Sequence, residues 1–158
     1  MRNLCFILLT LLCLGACVPG HNDYSEYIDI PIDGWKYGDT LKYYPDTHDS
    51  ITYGELQIII RHSNAYLYSN LWLEIRHFNG DSIRLDTVNI EMADVYGRWY
   101  GNGIGANFQY ALTVSNNITL YRNKPIMINH IMRADKLSGI EQIGFSFNGI
   151  ESDSVNLL

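Results

Sequence analysis

Apolar residues recur at every second position through most of the chain, and this alternation limits the fold more than any other feature. In the segment 54–62, Leu56, Ile58 and Ile60 alternate with mostly polar side chains. A period of two is typical of β-strands with one buried face. Because no segment shows a sustained 3.6-residue period with caps, we expect an all-β protein. The predicted strands are 27–32, 40–44, 54–62, 66–78, 82–92, 107–114, 117–121, 126–133 and 140–147.

These short strands, separated by Gly and Asn turns, predict an antiparallel β-sandwich of the jelly-roll type. Asn79-Gly80-Asp81 predicts a tight hairpin, and the segment 62–65 predicts a second hairpin loop. The segments 54–62, 66–78 and 82–92 would then form a three-stranded meander. The segment 126–134 also fits a helix. With 158 residues, we expect a single domain spanning 26–158.

Alternation within 66–78 separates two predicted faces of this strand. The first is aliphatic and should be buried; it comprises Leu67, Leu71, Leu73 and Ile75. The second mixes aromatic and polar side chains; it comprises Tyr66, Tyr68, Asn70, Trp72, Glu74 and Arg76. This second face fits either the solvent side of a sheet or an aromatic platform that stacks on sugars.

The N-terminus predicts an exported lipoprotein. An uncharged apolar run over 4–14 follows Arg2, and its length suits a signal peptide better than a membrane-spanning helix. Leu14-Gly15-Ala16-Cys17 resembles a bacterial lipobox, which implies cleavage before Cys17 and acylation, for example with palmitate. We therefore predict a signal peptide over 1–16 and a lipidated tether over 17–25. The alternative is an ordinary secretory signal that happens to end near a cysteine.

Cysteine positions and charge exclude several classes of protein. Cys5 and Cys13 would leave with the signal peptide, so a mature chain carrying lipid on Cys17 has no thiol pair for an intramolecular disulfide. The formal net charge of −6 argues against nucleic-acid binding, which needs clustered basic residues. An acidic body also repels anionic headgroups, so the lipid would have to provide the attachment to the membrane.

No catalytic motif is recognisable, and we expect neither enzyme activity nor a cofactor or metal. Gly101, Gly103 and Ala106 match a relaxed dinucleotide fingerprint, but a predicted strand at 107–114 follows where that motif needs a helix. A glycine-rich loop carrying Trp99 is the simpler interpretation. The histidines that could meet in space are too few for an ordinary metal site unless other ligands join them. They are His62, His77 and His130.

Several ordered blocks resemble the gliding-motility lipoprotein GldH family of the Bacteroidota. The two most distinctive are Arg61-His62 followed by Tyr66-x-Tyr68-x-Asn70-Leu71-Trp72, and Gly97-x-Trp99-x-Gly101-x-Gly103. Further matches are the lipobox at Cys17, Trp35, Ile60, Leu73, Asp86-Thr87-Val88, Met132-Arg133, and Leu137-x-Gly139-Ile140-x-x-Ile143-Gly144.

The resemblance implies a non-catalytic outer-membrane lipoprotein that acts with other gliding-motility envelope proteins as a component or stabilising factor, and through them with type IX secretion. We expect an anchor on the periplasmic face, with the cell surface as the alternative. Tryptophan is enriched both at interfaces and under loops, so the aromatic candidates are partner contacts or core anchors. The candidate contacts are Trp35, Tyr66, Tyr68, Trp72 and Trp99. A surface glycan-binding module remains the alternative function.

Overall fold

A computed structural model describes residues 23–150. The predicted signal peptide, Cys17 and most of the predicted tether lie outside these residues. The described chain contains no helix and consists of strands joined by turns. The strands are β1 Tyr24–Asp29, β2 Trp35–Lys36, β3 Leu41–Tyr43, β4 Ile51–Ser63, β5 Asn70–Asn79, β6 Ser82–Glu91, β7 Asn102–Ile104, β8 Asn107–Tyr121, β9 Ile126–His130, β10 Lys136–Leu137 and β11 Ile140–Gly149.

Two antiparallel sheets form the sandwich. The first has the order β1-β11-β4-β8-β7, the second has the order β3-β9-β5-β6, and β2 pairs with β10 in a short separate ladder. Without the three short strands β2, β7 and β10, eight principal strands remain. Numbered 1 to 8 in chain order, they are β1, β3, β4, β5, β6, β8, β9 and β11. In this numbering the first sheet has the strand order 1-8-3-6 and the second has the order 2-7-4-5. This is the strand order of a jelly roll, so the predicted fold class is confirmed.

Aromatic residues join the two sheets across the core. Tyr43 of the second sheet stacks on Phe145 of the first, with ring centroids 5.4 Å apart. The Tyr43 hydroxyl donates a hydrogen bond of 2.7 Å to the carbonyl of Ile143, so its polar atom is satisfied inside the core. Burial raises the pKa of this hydroxyl well above its usual value and keeps it a neutral donor. The surrounding core comprises Leu56, Ile58, Ile60, Leu71, Leu73, Ile75, Ile90, Leu120, Ile128 and Phe147.

The predicted three-stranded meander is wrong. β5 pairs with β6 through the tight turn at Gly80, as predicted, but β4 lies in the opposite sheet between β11 and β8. The segment 64–69 therefore crosses from one sheet to the other rather than forming a hairpin loop. β5 begins only at Asn70, and Leu67 is 82% exposed instead of buried. Leu71, Leu73 and Ile75 are buried as predicted.

Three strand boundaries also differ from prediction. The segments 107–114 and 117–121 form one strand, β8, whose register against β4 shifts twice near Leu56. The polar residues 115–117 lie at these bulges and interrupt the alternation of apolar and polar residues. The sequence pattern therefore predicted two strands where the structure has one. The segment 126–133 contains the predicted strand, β9, and not the alternative helix, but this strand already ends at His130. Finally, β1 begins at Tyr24, within the segment assigned to the tether, and pairs there with Phe147.

Candidate functional site

The two most distinctive blocks of the family resemblance meet at one end of the sandwich. Strand direction places the loops 64–69, 92–101 and 131–139 together, because β4 ends beside the start of both β8 and β11. Backbone hydrogen bonds link these loops, including one of 2.8 Å from the Ser63 amide to the Gly139 carbonyl. We call this region the aromatic end, defined by His62, Tyr66, Tyr68, Trp99 and Phe108. β1 starts and β11 finishes at the opposite end.

A buried histidine lies at the centre of the aromatic end. The His62 ring is fully buried, with the Trp99 ring edge-on at 4.7 Å and the Phe108 ring stacked at 5.4 Å between centroids. Its Nδ1 lies 3.3 Å from the Ser63 carbonyl oxygen, whereas its Nε2 has no hydrogen-bond partner. Burial among apolar rings penalises the charged form and lowers the pKa of His62. The neutral ring therefore serves as a packing surface.

The loops of the aromatic end are held by specific contacts. The Trp99 indole N–H donates a 2.9 Å hydrogen bond to the Asn64 side-chain oxygen, which ties the glycine-rich loop to the crossover segment. The Tyr66 hydroxyl donates a 2.8 Å bond to the Asn70 carbonyl. Gly139, at a φ of 83°, packs so closely on the backbone of Tyr66 that a Cβ there would overlap it. Only glycine suits this position.

Acid should weaken the fold through buried histidines. His130, like His62, is fully buried and has a pKa lowered by desolvation. Below about pH 6.5 the unfolded chain binds protons that the folded chain does not, so the free energy of unfolding should fall as the pH decreases. Urea unfolding between pH 8 and pH 5 measures this slope. His62→Phe keeps the ring packing and should make the slope shallower; an unchanged slope would contradict a role for His62.

The five predicted contact residues fall into different environments. Trp35 and Tyr66 are buried, at 1% and 2% exposure, and act as core residues at this end. Trp99 is partly buried against the core. Tyr68 and Trp72 remain exposed, at 37% and 40%. The predicted row of Tyr66, Tyr68 and Trp72 on one strand face is therefore wrong, because Tyr66 precedes β5 and turns inward.

The three predicted histidines have separate neighbours. His62 packs on Trp99, whereas His130 packs edge-on to Trp35 with ring centroids 5.2 Å apart. His77 Nε2 lies 2.9 Å from an Asp86 carboxylate oxygen. Within residues 23–150, no group of three or more His, Cys, Asp or Glu side chains could hold a metal ion. The glycine-rich loop leads into the strand β8 and not a helix, as the sequence predicts.

Sequence reasoning missed a row of polar side chains beside the aromatic end. Arg61 on β4 donates from Nε to the Gln109 side-chain oxygen at 2.7 Å and from Nη1 to the Gln142 side-chain oxygen at 2.6 Å. Its guanidinium carbon lies 4.9 Å from the centroid of the Tyr27 ring. These residues belong to four different strands of the first sheet. Alternation places each on a polar face, but it does not reveal which strands are neighbours.

The described residues thus form a jelly-roll domain whose two most distinctive sequence blocks lie at a single end. No helix in this part of the chain is long and apolar enough to cross a membrane. A family model described as GldH lipoprotein matches residues 22–147. A protein of Christiangramia forsetii named as a homolog of gliding motility lipoprotein GldH is 29% identical over 151 residues, covering 89% of this chain and 91% of that protein. The chain belongs to the GldH lipoprotein family, which confirms the resemblance.

Proposed function

We propose that this chain is a non-catalytic, lipid-anchored envelope protein of the gliding machinery, and that its aromatic end docks on a protein partner. The observation that carries this proposal is the convergence of the two most distinctive family-like blocks at one end of the sandwich, in a chain of the GldH lipoprotein family. Large exposed apolar residues extend from two of these loops and from the adjoining strand β7; they are Leu67, Val95, Tyr96 and Ile104. Exposed apolar groups clustered at one place are typical of interaction surfaces.

The predicted position of the lipid anchor is compatible with docking by the aromatic end. β1 begins at Tyr24, only a few residues after Cys17, so an extended tether reaches roughly 25 Å at most. Lipid on Cys17 would hold the domain near the membrane by the end opposite the aromatic end. The aromatic end would then face away from the membrane. We place the lipid in the periplasmic leaflet of the outer membrane, where the domain would act as a component or stabilising factor of the gliding and type IX secretion assembly.

Deletion in the native host tests the proposed role. The deletion strain should lose colony spreading and secretion of type IX cargo, and the wild-type gene should restore both. A gene carrying Val95→Asp and Tyr96→Asp should restore the protein level but not spreading, because charge would replace apolar groups that are 93% and 82% exposed.

A matched control replaces an exposed aromatic residue at the opposite end. Tyr44→Asp, at a side chain with 59% exposure, should restore spreading. Immunoblots of membrane fractions check that all variants accumulate equally. Normal spreading and secretion in the deletion strain would contradict the proposed function. If the Val95→Asp, Tyr96→Asp gene and the Tyr44→Asp gene both fail to restore spreading at normal protein levels, docking cannot be assigned to the aromatic end.

A further inference from the structure

Arg61 is held rigidly without being neutralised. Two neutral glutamines, Gln109 and Gln142, accept hydrogen bonds from its guanidinium, and the Tyr27 ring lies beneath the group. Gln142 in turn donates to the Asp29 carboxylate, which makes Asp29 the nearest carboxylate in this hydrogen-bonded row. Arg61 forms no ion pair with a carboxylate of residues 23–150, whereas Arg98, also exposed, pairs with Asp94 at 2.8 Å. Because a guanidinium has five N–H donors and two are used here, the others are available to an incoming group. The orientation of the fork is already set, so less side-chain entropy is lost on binding.

The residues around Arg61 indicate which chemical group its free N–H donors would bind. Arg61 lines a groove of about 580 Å³ together with Phe108, Glu141 and Ile104, and Ile104 is 92% exposed. One face of each of the two nearest aromatic rings is already engaged, since the guanidinium lies over Tyr27 and Phe108 stacks on His62. These contacts reduce the ring surface on which a sugar could stack. Arginine is enriched at protein–protein interfaces, and the exposed Ile104 beside it would add apolar contact area to such an interface.

We propose that the groove around Arg61 binds an Asp or Glu side chain of a partner protein, whose carboxylate takes the free N–H groups of the guanidinium as a charge-assisted, bidentate acceptor. Glu141 lines the same groove and repels an incoming carboxylate, which directs the acidic group to the side of Arg61. This inference rests on the proposed docking to a protein and adds which chemical group is recognised. The neighbouring Ile104 would contact the apolar surface around that acidic residue.

A zero-length crosslink tests the proposal directly. In intact cells carrying Arg61→Lys, a water-soluble carbodiimide should join the introduced amine to the partner carboxylate as an amide, and mass spectrometry should place the link on an Asp or Glu of another protein. Arg84→Lys is the control, because Arg84 is exposed and lies on β6 of the other sheet. A link confined to Glu141 or Asp29 of the same chain, or one to an acidic sugar, would overturn the proposal. So would an equal yield from the control.

A second measurement leaves the fold less disturbed and tests the sign of the charge. A photoreactive benzoylphenylalanine replaces Ile104 in the full chain, and the yield of its crosslinked product is measured in native membranes. Arg61→Gln should lower this yield about tenfold and Glu141→Gln should raise it, while Arg84→Gln should leave it unchanged. Equal yields from all variants would overturn the proposal. If the crosslink yields do not change and the Arg61→Gln gene restores spreading normally, only the Arg61 site is rejected. A deletion strain that still glides rejects the proposed function itself.

Discussion

Replacing Trp35 with alanine is expected to lower the free energy of unfolding by about 3 to 5 kcal/mol, the usual cost of deleting a large buried aromatic side chain. The Trp35 ring is 1% exposed and packs edge-on against His130 at 5.2 Å. Its indole N–H also donates a 2.9 Å hydrogen bond to the Asp39 carbonyl. Truncation would leave a cavity and remove this hydrogen bond, at the place where β2 and β10 cover the core.

Trp72→Ala is the matched control for this prediction. The Trp72 side chain is 40% exposed on the outer face of β5, so its loss should cost about 1 kcal/mol or less. Urea unfolding followed by near-ultraviolet circular dichroism and tyrosine fluorescence measures both variants. Equal destabilisation would show that the two tryptophans do not divide into a core residue and a surface residue. The comparison matters for function, because only an exposed tryptophan is available as a partner contact.

Replacing Cys17 with alanine should move the protein from the membrane fraction to the soluble fraction. The chain has a formal net charge of −6, so a basic surface would not substitute for the lipid at an anionic membrane. Incorporation of labelled palmitate should disappear in the same variant. Both effects are expected to be nearly complete, because the acyl chains predicted on Cys17 would provide most of the membrane affinity.

Cys13→Ala controls for general effects on export. Cys13 lies within the apolar run before the predicted cleavage site, so this variant should remain lipidated and membrane-bound. The prediction fails if the Cys17 variant still fractionates with membranes, or if the Cys13 variant also loses its label. Cell fractionation with protease treatment of intact cells then distinguishes the periplasmic face from the cell surface.

Local patterns predicted most of the strands but not their neighbours. The alternation of Leu71, Leu73 and Ile75 and the turn at Gly80 act over a few residues, so the hairpin of β5 and β6 was predictable. The placement of β4 and β5 in different sheets was not, because both sheets accept the same alternating pattern. Which strands pair is decided by packing across the core, for example by Tyr43 on Phe145.

The candidate site shows the same division. The distinctive blocks around Trp72 and Trp99 pointed to a family, and the family comparison confirmed it. Their proximity depends on contacts such as Trp99 with Asn64, which join residues 35 positions apart in the chain. Tyr66 turned inward although its sequence neighbours suggested an exposed face, because loop residues do not follow strand alternation.

The sequence by itself determined that this protein is an all-β domain of the GldH lipoprotein family, since alternation, turn residues and ordered blocks are local properties. The tertiary structure alone decided the jelly-roll pairing, the burial of His62 at the aromatic end, and the hydrogen bonding of Arg61 to two neutral glutamines. The polar row around Arg61 requires side chains from four strands, and only the folded sheet brings them within hydrogen-bonding distance. Hydrogen bonds and ring contacts act over a few ångströms, so positions far apart in sequence interact only after the sheets have formed.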